Sequence, residues 1–198
     1  ETGNLFSGFM GLIRNPSLLA AGIANFFNST IFNTIMVFFP LYGISIGLDE
    51  SQVGMGLTVR GLASTATRIP TGLAISRLGA LRMMTLGLGA SALMILALPE
   101  FNTLVILSAL LGMQGIAYGI YLTSANTYVT EEAPSGMAGA SMGVFSTFSN
   151  ISGIVSPIIL GSVAEAFGIG ATFKLSFILS MVGFVILTFF SRRRARSP

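Results

Sequence analysis

The sequence contains no cysteine, no histidine and no tryptophan, and only 9% of its 198 residues are charged. Without Cys or His there is no thiol nucleophile, no His-based catalytic triad, no His/Cys metal centre and no disulfide, so metal sites, cofactor ligation through these residues and catalysis that depends on them are excluded. The shortage of charge excludes more. A soluble domain carries about 25% charged residues, and a chain this apolar cannot cover a globular surface with polar groups. What is abundant is apolar residue, 53% of the chain, and glycine, at 24 positions. The composition is that of a protein whose solvent is lipid.

Six apolar stretches can be drawn, at about Leu18 to Ile46, Val53 to Ile75, Met83 to Leu98, Thr103 to Val129, Met137 to Ala166 and Thr172 to Phe190. A spanning helix takes roughly 20 residues, so six with short connections consume about 150 to 190 positions and leave no separate soluble domain. The third stretch is short, and the first and fifth are long enough to tilt or to run into the interface. The division expected is 1–17 as the end of a central cytoplasmic loop, 18–190 as an all-α six-helix transmembrane bundle, and 191–198 as a basic cytoplasmic tail. The sequence starts at Glu1, with its first methionine at Met10, and reads as a piece of a longer protein.

Orientation follows from the few charges. The net charge of +3 does not point to nucleic acid, because Arg192, Arg193, Arg194 and Arg196 form one run directly after an apolar stretch. Arg14, Arg77, Arg82 and that run fall on one side of the six spans, whereas the three opposite loops contain no Lys or Arg. The positive-inside rule then puts both termini in the cytoplasm.

Two kinds of stripe mark the spans. Glycines recur at helical spacing as Gly54, Gly61 and Gly72 in the second, Gly112, Gly115 and Gly119 in the fourth, and Gly139, Gly143, Gly153 and Gly161 in the fifth, a pattern expected to let helices approach closely. Polar residues form other stripes. Asn25, Asn28, Ser29 and Asn33 share a face of the first span with Phe32 and Met36, and Gln114, Tyr118 and Tyr121 share a face of the fourth, nearly opposite its glycines. Such amides and hydroxyls bond neighbouring helices in many membrane proteins, at about 1 kcal/mol or less each. Two coherent stripes instead suggest a wet cavity, with Asn150 of the fifth span as a further candidate.

The second span carries Arg60, Ser64, Thr67, Arg68 and Thr71 on one face. At about 1.5 Å rise per residue Arg60 lies about 4 to 5 Å from the midpoint, where a guanidinium costs at least about 2.5 kcal/mol unless paired or hydrated. Asp49, Glu50, Glu100, Glu131, Glu132 and Glu165 all fall near loops or helix ends. Arg60 is therefore expected to face a ligand, water or protein beyond this chain, and any proton-coupling carboxylate is expected elsewhere. Arg68 can snorkel to the interface, and Lys174 is expected to do the same at the outer end of the last span.

The segment Gly72-Leu73-Ala74-Ile75-Ser76-Arg77-Leu78-Gly79-Ala80-Leu81-Arg82 resembles the loop motif of the major facilitator superfamily, in which Gly and three further residues precede Asp-Arg, one residue, Gly and basic residues. It departs at Ser76, where the family has Asp, and at Ala80 and Leu81. Such weakening is usual in the second copy of the motif, between helices eight and nine of a twelve-helix transporter. Ile13-Arg14-Asn15-Pro16-Ser17 resembles the entry into helix seven. Phe39-Pro40-Leu41-Tyr42 with Gly47-Leu48 and Val53-Gly54 resembles the junction of helices seven and eight. Ala133-Pro134 to Gly136, with Gly153, Pro157 and Gly161, resembles helix eleven and the loop before it.

The resemblance implies the C-terminal half of a secondary transporter that works by alternating access about a site near the bilayer midplane. It implies as partners membrane lipid, a small organic solute, an N-terminal six-helix half in the same chain or a second one, and a coupling proton or ion. The implied location is the plasma membrane, or the inner membrane of a bacterial cell. Helices seven and ten line the cavity in the family, and these are the spans with the two polar stripes; with Arg60 and Ser64 of the second span and Asn150 of the fifth, the candidate substrate-cavity residues are Asn25, Asn28, Ser29, Phe32, Asn33, Arg60, Ser64, Gln114, Tyr118, Tyr121 and Asn150. Gly72, Ser76, Arg77, Gly79 and Arg82 would form the conformational-switch loop, with Arg77 pairing to a helix end or to a glutamate of the other cytoplasmic loop. Arg60 and Arg68 suit an anionic or zwitterionic solute, while Phe32, Met36, Tyr118 and Tyr121 suit amphipathic drugs equally well.

Two other classes were weighed. For a six-helix pore, Asn15-Pro16-Ser17 resembles the Asn-Pro-Ala signature of aquaporins, but it has no second copy, and Pro at a helix N-terminus accounts for it. An intramembrane protease of the rhomboid type needs a Ser activated by His, and the chain has no His. No P-loop is present, and neither a cofactor nor enzymatic activity is expected.

Overall fold

The computed structural model describes residues 11–12 and 14–194. The greater part of the expected N-terminal loop and the end of the basic tail, Arg196 included, lie outside the described residues. Six long helices follow one another with short connections.

The first, α1 (Pro16–Ser45), is capped by Asn15, whose Oδ1 accepts from Ser17 N at 2.9 Å, with Pro16 in the first turn where its missing N–H costs nothing. It is not uniform. Residues Thr34–Phe38 form a π turn in which the N–H of Phe39 reaches Thr34 O. Pro40, with no N–H to give Met36, directly follows this widened turn.

The second helix, α2 (Glu50–Leu78), opens with a capping box: Gln52 N donates to Asp49 Oδ1 at 2.8 Å and Asp49 N donates to Gln52 Oε1 at 3.0 Å. It stops at Gly79, whose φ of 85° suits glycine and reverses the chain directly into α3 (Ala80–Ala97). A 3₁₀ turn over Leu98–Glu100 extends α3, which makes up the length that the sequence leaves short. The remaining helices are α4 (Leu104–Glu131), α5 (Ala138–Phe167) and α6 (Ile169–Arg194).

Five of the six are long and apolar enough to cross a membrane by length and composition. The exception is α2, whose 29 residues suffice in length but include Arg60, Arg68 and many Ser, Thr and Gly. Apolar side chains point outward, among them Leu62, Ile69 and Leu73 of α2 and Ile154 and Ile158 of α5, while the interior holds small polar groups such as Ser91, Ser124, Ser152 and Ser176. The rest of the interior is apolar, so what fits a lipid solvent is the apolar outer surface together with the buried polar groups between helices, where close packing and interhelical hydrogen bonds do the holding.

The helices pack as α2 on α4, α4 on α3, α3 on α6, α6 on α1 and α1 on α5. Glycine permits the tightest crossing. A Cβ on Gly115 would strike the carbonyl oxygen of Arg60, and one on Gly119 would sit 2.5 Å from that of Ser64, so α4 lies directly against the α2 backbone. The other two glycine stripes make no such contact. A Cβ on Gly54, Gly61, Gly72, Gly139, Gly143, Gly153 or Gly161 meets nothing within 4 Å, so these glycines touch no neighbouring helix within the described bundle.

Hydroxyls tie α1 to its neighbours. Thr30 Oγ1 lies 3.1 Å from Ser152 Oγ and 2.9 Å from Ser156 Oγ, which are 2.9 Å from each other. Thr34 Oγ1, beside the π turn, pairs with Ser176 Oγ at 2.5 Å.

Candidate functional site

A cavity of about 590 Å³ opens between α1, α4 and α5, running from about the middle of the bundle toward the end that holds the C-terminus of α4 and the N-terminus of α5. Its α1 wall is the stripe with spacings of three and four: Asn25, Asn28, Ser29, Phe32 and Asn33. From α4 come Tyr118, Leu122 and Asn126, one turn apart on a single face. The α5 wall combines Ser146, Ser149, Asn150 and Gly153 with Met142, Phe145 and Ile154. Every lining residue is uncharged, and the polar ones are amides, hydroxyls and one phenol.

The amides of α1 are oriented by the backbone of α5. Asn25 Nδ2 donates to Phe145 O at 2.9 Å, and Asn33 Nδ2 donates to Ser152 O at 3.3 Å. Between them lies Asn28, 3% exposed, with no hydrogen-bond partner for its Oδ1 among the described residues.

Arg60 sits behind this wall. Its Nε donates to Gln114 Oε1 at 2.6 Å, and Gln114 Nε2 in turn donates to Ser91 Oγ at 2.8 Å, a chain running from α2 through α4 to α3. Its Cζ is 4.9 Å from the ring centroid of Tyr118 and 5.2 Å from that of Phe32, and those rings stack at 5.6 Å and 30°. Two aromatic faces and an amide thus stabilise a guanidinium that is 4% exposed and forms no ion pair with a carboxylate among the described residues. Its Nη2 has no partner among the described residues.

Of the eleven residues expected at a cavity, Asn25, Asn28, Ser29, Phe32, Asn33, Tyr118 and Asn150 border this one. Arg60, Ser64, Gln114 and Tyr121 do not. Arg60 and Gln114 are bonded to each other in the α2–α4 contact, and Ser64 lies where Gly119 crosses α2. Tyr121 is fully buried where α4 crosses α3, its backbone N lying 2.6 Å from the Cβ position of Gly87. The sequence reading missed Asn126, Ser146 and Ser149 as bordering residues. Asn126 stands eight residues after Tyr118, two turns on, and Ser146, Ser149, Asn150 and Gly153 repeat the same helical spacing, so both signals were present.

At one end of the bundle the two arginines that flank the Gly79 turn, Arg77 at the end of α2 and Arg82 at the start of α3, part company. Arg82 and Gly79 border a recess of about 360 Å³ together with Glu131 and Glu132, from the end of α4, and Ser191 of α6. Arg77 instead faces outward beside Leu73, Ala74 and Ser76, whose Oγ donates to Leu73 O at 2.7 Å. Gly72 lies on the unpacked face of α2. At the opposite end Lys174 Nζ pairs with Glu100 Oε1 at 3.2 Å, both side chains exposed.

The model of the Major Facilitator Superfamily matches residues 21–198. Similar solved structures include a POT family transporter in complex with 5-aminolevulinic acid, with a TM-score of 0.77 and 19% identity over 88% of this chain and 38% of that one. A POT family transporter in complex with a thioalcohol-conjugated peptide gives a TM-score of 0.79 at 19% identity over 91% of this chain and 39% of that one. At such identity the likeness is one of fold. The chain spans under two-fifths of the length of these structures, and no curated protein matches it significantly.

Proposed function

The chain belongs to the major facilitator superfamily, and on that premise we propose that it is the C-terminal half of a secondary transporter that moves a small organic solute across the plasma membrane by alternating access. The observation that carries the proposal is the cavity between α1, α4 and α5: polar residues of three membrane-spanning helices converge on one open space inside the bundle, the kind of place where polarity within a membrane marks a solute path.

The partner is an N-terminal six-helix half, in the same chain or a second one. In support, the glycine faces of α2 and α5 have nothing to pack against within the described bundle, and a stripe of small residues in a membrane helix suits a close neighbour. Both termini are cytoplasmic, by the bias of Arg14, Arg77, Arg82 and Arg192 to Arg194 to one side. In this orientation the Gly79 turn is the cytoplasmic switch loop, with Arg82 rather than Arg77 beside the glutamates at the end of α4. Any coupling to a proton or ion would use a carboxylate of the other half, since none borders the cavity.

Arg60 acts as a positioning residue in this reading. It braces Phe32 and Tyr118 from behind the cavity wall, so any preference it lends to an anionic solute acts through its field and not through direct contact. The test is counterflow in proteoliposomes made with the complete protein. Saturable exchange of a small organic solute, without osmotic swelling in its presence, supports a carrier. Swelling without exchange indicates a pore and removes the proposal.

A further inference from the structure

We infer that the outer groove between α3 and α6 binds an anionic phospholipid, with an acyl chain along the groove and the phosphate between Arg82 and Arg192. The inference needs only that the bundle sits in a membrane, as its apolar helices and its family require, and does not depend on the transport reading.

Two adjoining recesses form the groove. The deeper one, about 470 Å³, is walled by Leu86, Gly89, Ala90, Leu93, Met181 and Phe184, none of them polar. A Cβ on Gly89 would stand 2.8 Å from Phe184 Cε2, so the ring lies directly on the α3 backbone. The second recess, about 360 Å³, shares Leu86 and Phe184 with the first and continues to Arg82, Ser191 and Arg192. At about 1.5 Å rise per residue, Arg82 to Leu93 and Met181 to Arg192 each cover about 16 Å. That is close to half of a hydrocarbon core of about 30 Å, the depth of one leaflet.

The packing order α2, α4, α3, α6, α1, α5 puts α2 and α5 at its ends and α3 and α6 in its middle. A second half that meets α2 and α5 leaves this groove turned toward lipid, where Leu86 and Leu93 are already exposed.

The mouth of the groove is basic. Arg82 belongs to the first turn of α3 and Arg192 to the last turn of α6, both side chains are exposed, and neither makes an ion pair among the described residues. No acid borders the mouth. A phosphodiester carries negative charge and offers only acceptors, which matches two guanidiniums with donors to spare. Arg82 and Ser191 also border the recess of Glu131 and Glu132, whereas Arg192 does not. The sequence adds Arg193, Arg194 and Arg196 directly after Arg192, so positive charge prevails at this end and a headgroup with its own ammonium is disfavoured.

The test is native mass spectrometry of the complete protein in detergent with phosphatidylglycerol, phosphatidylethanolamine or phosphatidylcholine of identical acyl chains. Phosphatidylglycerol should be retained about fivefold or more over either of the others. Arg192→Gln removes a charge at the mouth and Ala90→Trp fills the apolar recess. Each should lower that retention about threefold or more without changing Tm in lipid-free detergent. Arg14→Gln, at an exposed arginine of the same end but outside the groove, should leave retention unchanged. Equal retention of the three lipids, or retention insensitive to Arg192→Gln, overturns the inference. A loss with Arg14→Gln as large as that with Arg192→Gln also overturns it, because attraction would then be a matter of surface charge in general. Loss with Arg192→Gln but not with Ala90→Trp contradicts a chain in the groove, and a dimer that Ala90→Trp dissociates would give the groove to a second copy of the protein. Failure on any of these counts leaves the transport reading to its own test, counterflow.

Discussion

Arg60 on α2 and Gln114 on α4 are joined by a 2.6 Å hydrogen bond, in which the guanidinium Nε donates to a neutral amide oxygen deep inside the bundle. The pair explains how a cation tolerates that depth without a carboxylate. Gln114 hands the connection on to Ser91, and Phe32 and Tyr118 cover the charge with their ring faces.

Removing one member of this pair should cost more than removing both. Gln114→Leu leaves a buried guanidinium without its acceptor and should lower stability by about 2 to 4 kcal/mol. The double variant Arg60→Met, Gln114→Leu removes the charge as well and should recover part of that loss. Thermal denaturation of the purified complete protein reads both, and a double variant no more stable than Gln114→Leu alone contradicts the account.

The glycine stripes should separate by substitution. Gly115→Ala and Gly119→Ala push α4 off the α2 backbone and should destabilise by about 1 to 3 kcal/mol, measured as a fall in Tm. Gly61→Leu and Gly143→Leu meet nothing within the described bundle and should leave the protein well folded in detergent while lowering transport, if those faces meet the other half. Wild-type transport by both leucine variants would argue that the two faces look onto lipid.

These contrasts also indicate what the sequence could convey. The number and limits of the helices were readable from apolar runs, capping residues and glycines, and the structure moves most boundaries by only a few residues. Helical spacing alone identified the α1 face from Asn25 to Asn33 as a polar stripe. What spacing could not resolve was which side of a helix meets a neighbour. Tyr121 shares a broad face with Tyr118 on a helical wheel, yet it is buried where α4 crosses α3, and Arg60 lies behind the cavity wall because Phe32 of another helix stands in front of it. Both outcomes depend on long-range packing, which local periodicity does not encode.

The hydroxyl cluster of Thr30, Ser152 and Ser156 should contribute modestly. Thr30→Val keeps the shape and removes the hydroxyl, while Ser152 and Ser156 remain bonded to each other, so the expected loss is about 0.5 to 1.5 kcal/mol. Chemical or thermal unfolding of the variant measures it. A loss several times larger would mean that the cluster does more than join α1 to α5.

Lys174 and Glu100 make a contrasting case. Their side chains are 58% and 60% exposed, and an ion pair so open to solvent contributes under about 1 kcal/mol. Glu100→Gln should leave both Tm and transport close to wild type. A large fall in transport would give this end of the bundle a part in the cycle.

Alternating access is tested most directly by the accessibility of one engineered thiol, which the absence of cysteine from this sequence makes feasible. Asn150→Cys, on the exposed α5 wall of the cavity, would be introduced into the complete protein with any cysteines elsewhere replaced, reconstituted in one orientation, and treated with a membrane-impermeant maleimide from either side in separate experiments. The account predicts labelling from both sides, with water permeability no greater than that of protein-free liposomes, because the cavity opens to one side at a time. Labelling from both sides with rapid osmotic swelling would reveal a continuous pore, and labelling from one side only would contradict alternating access.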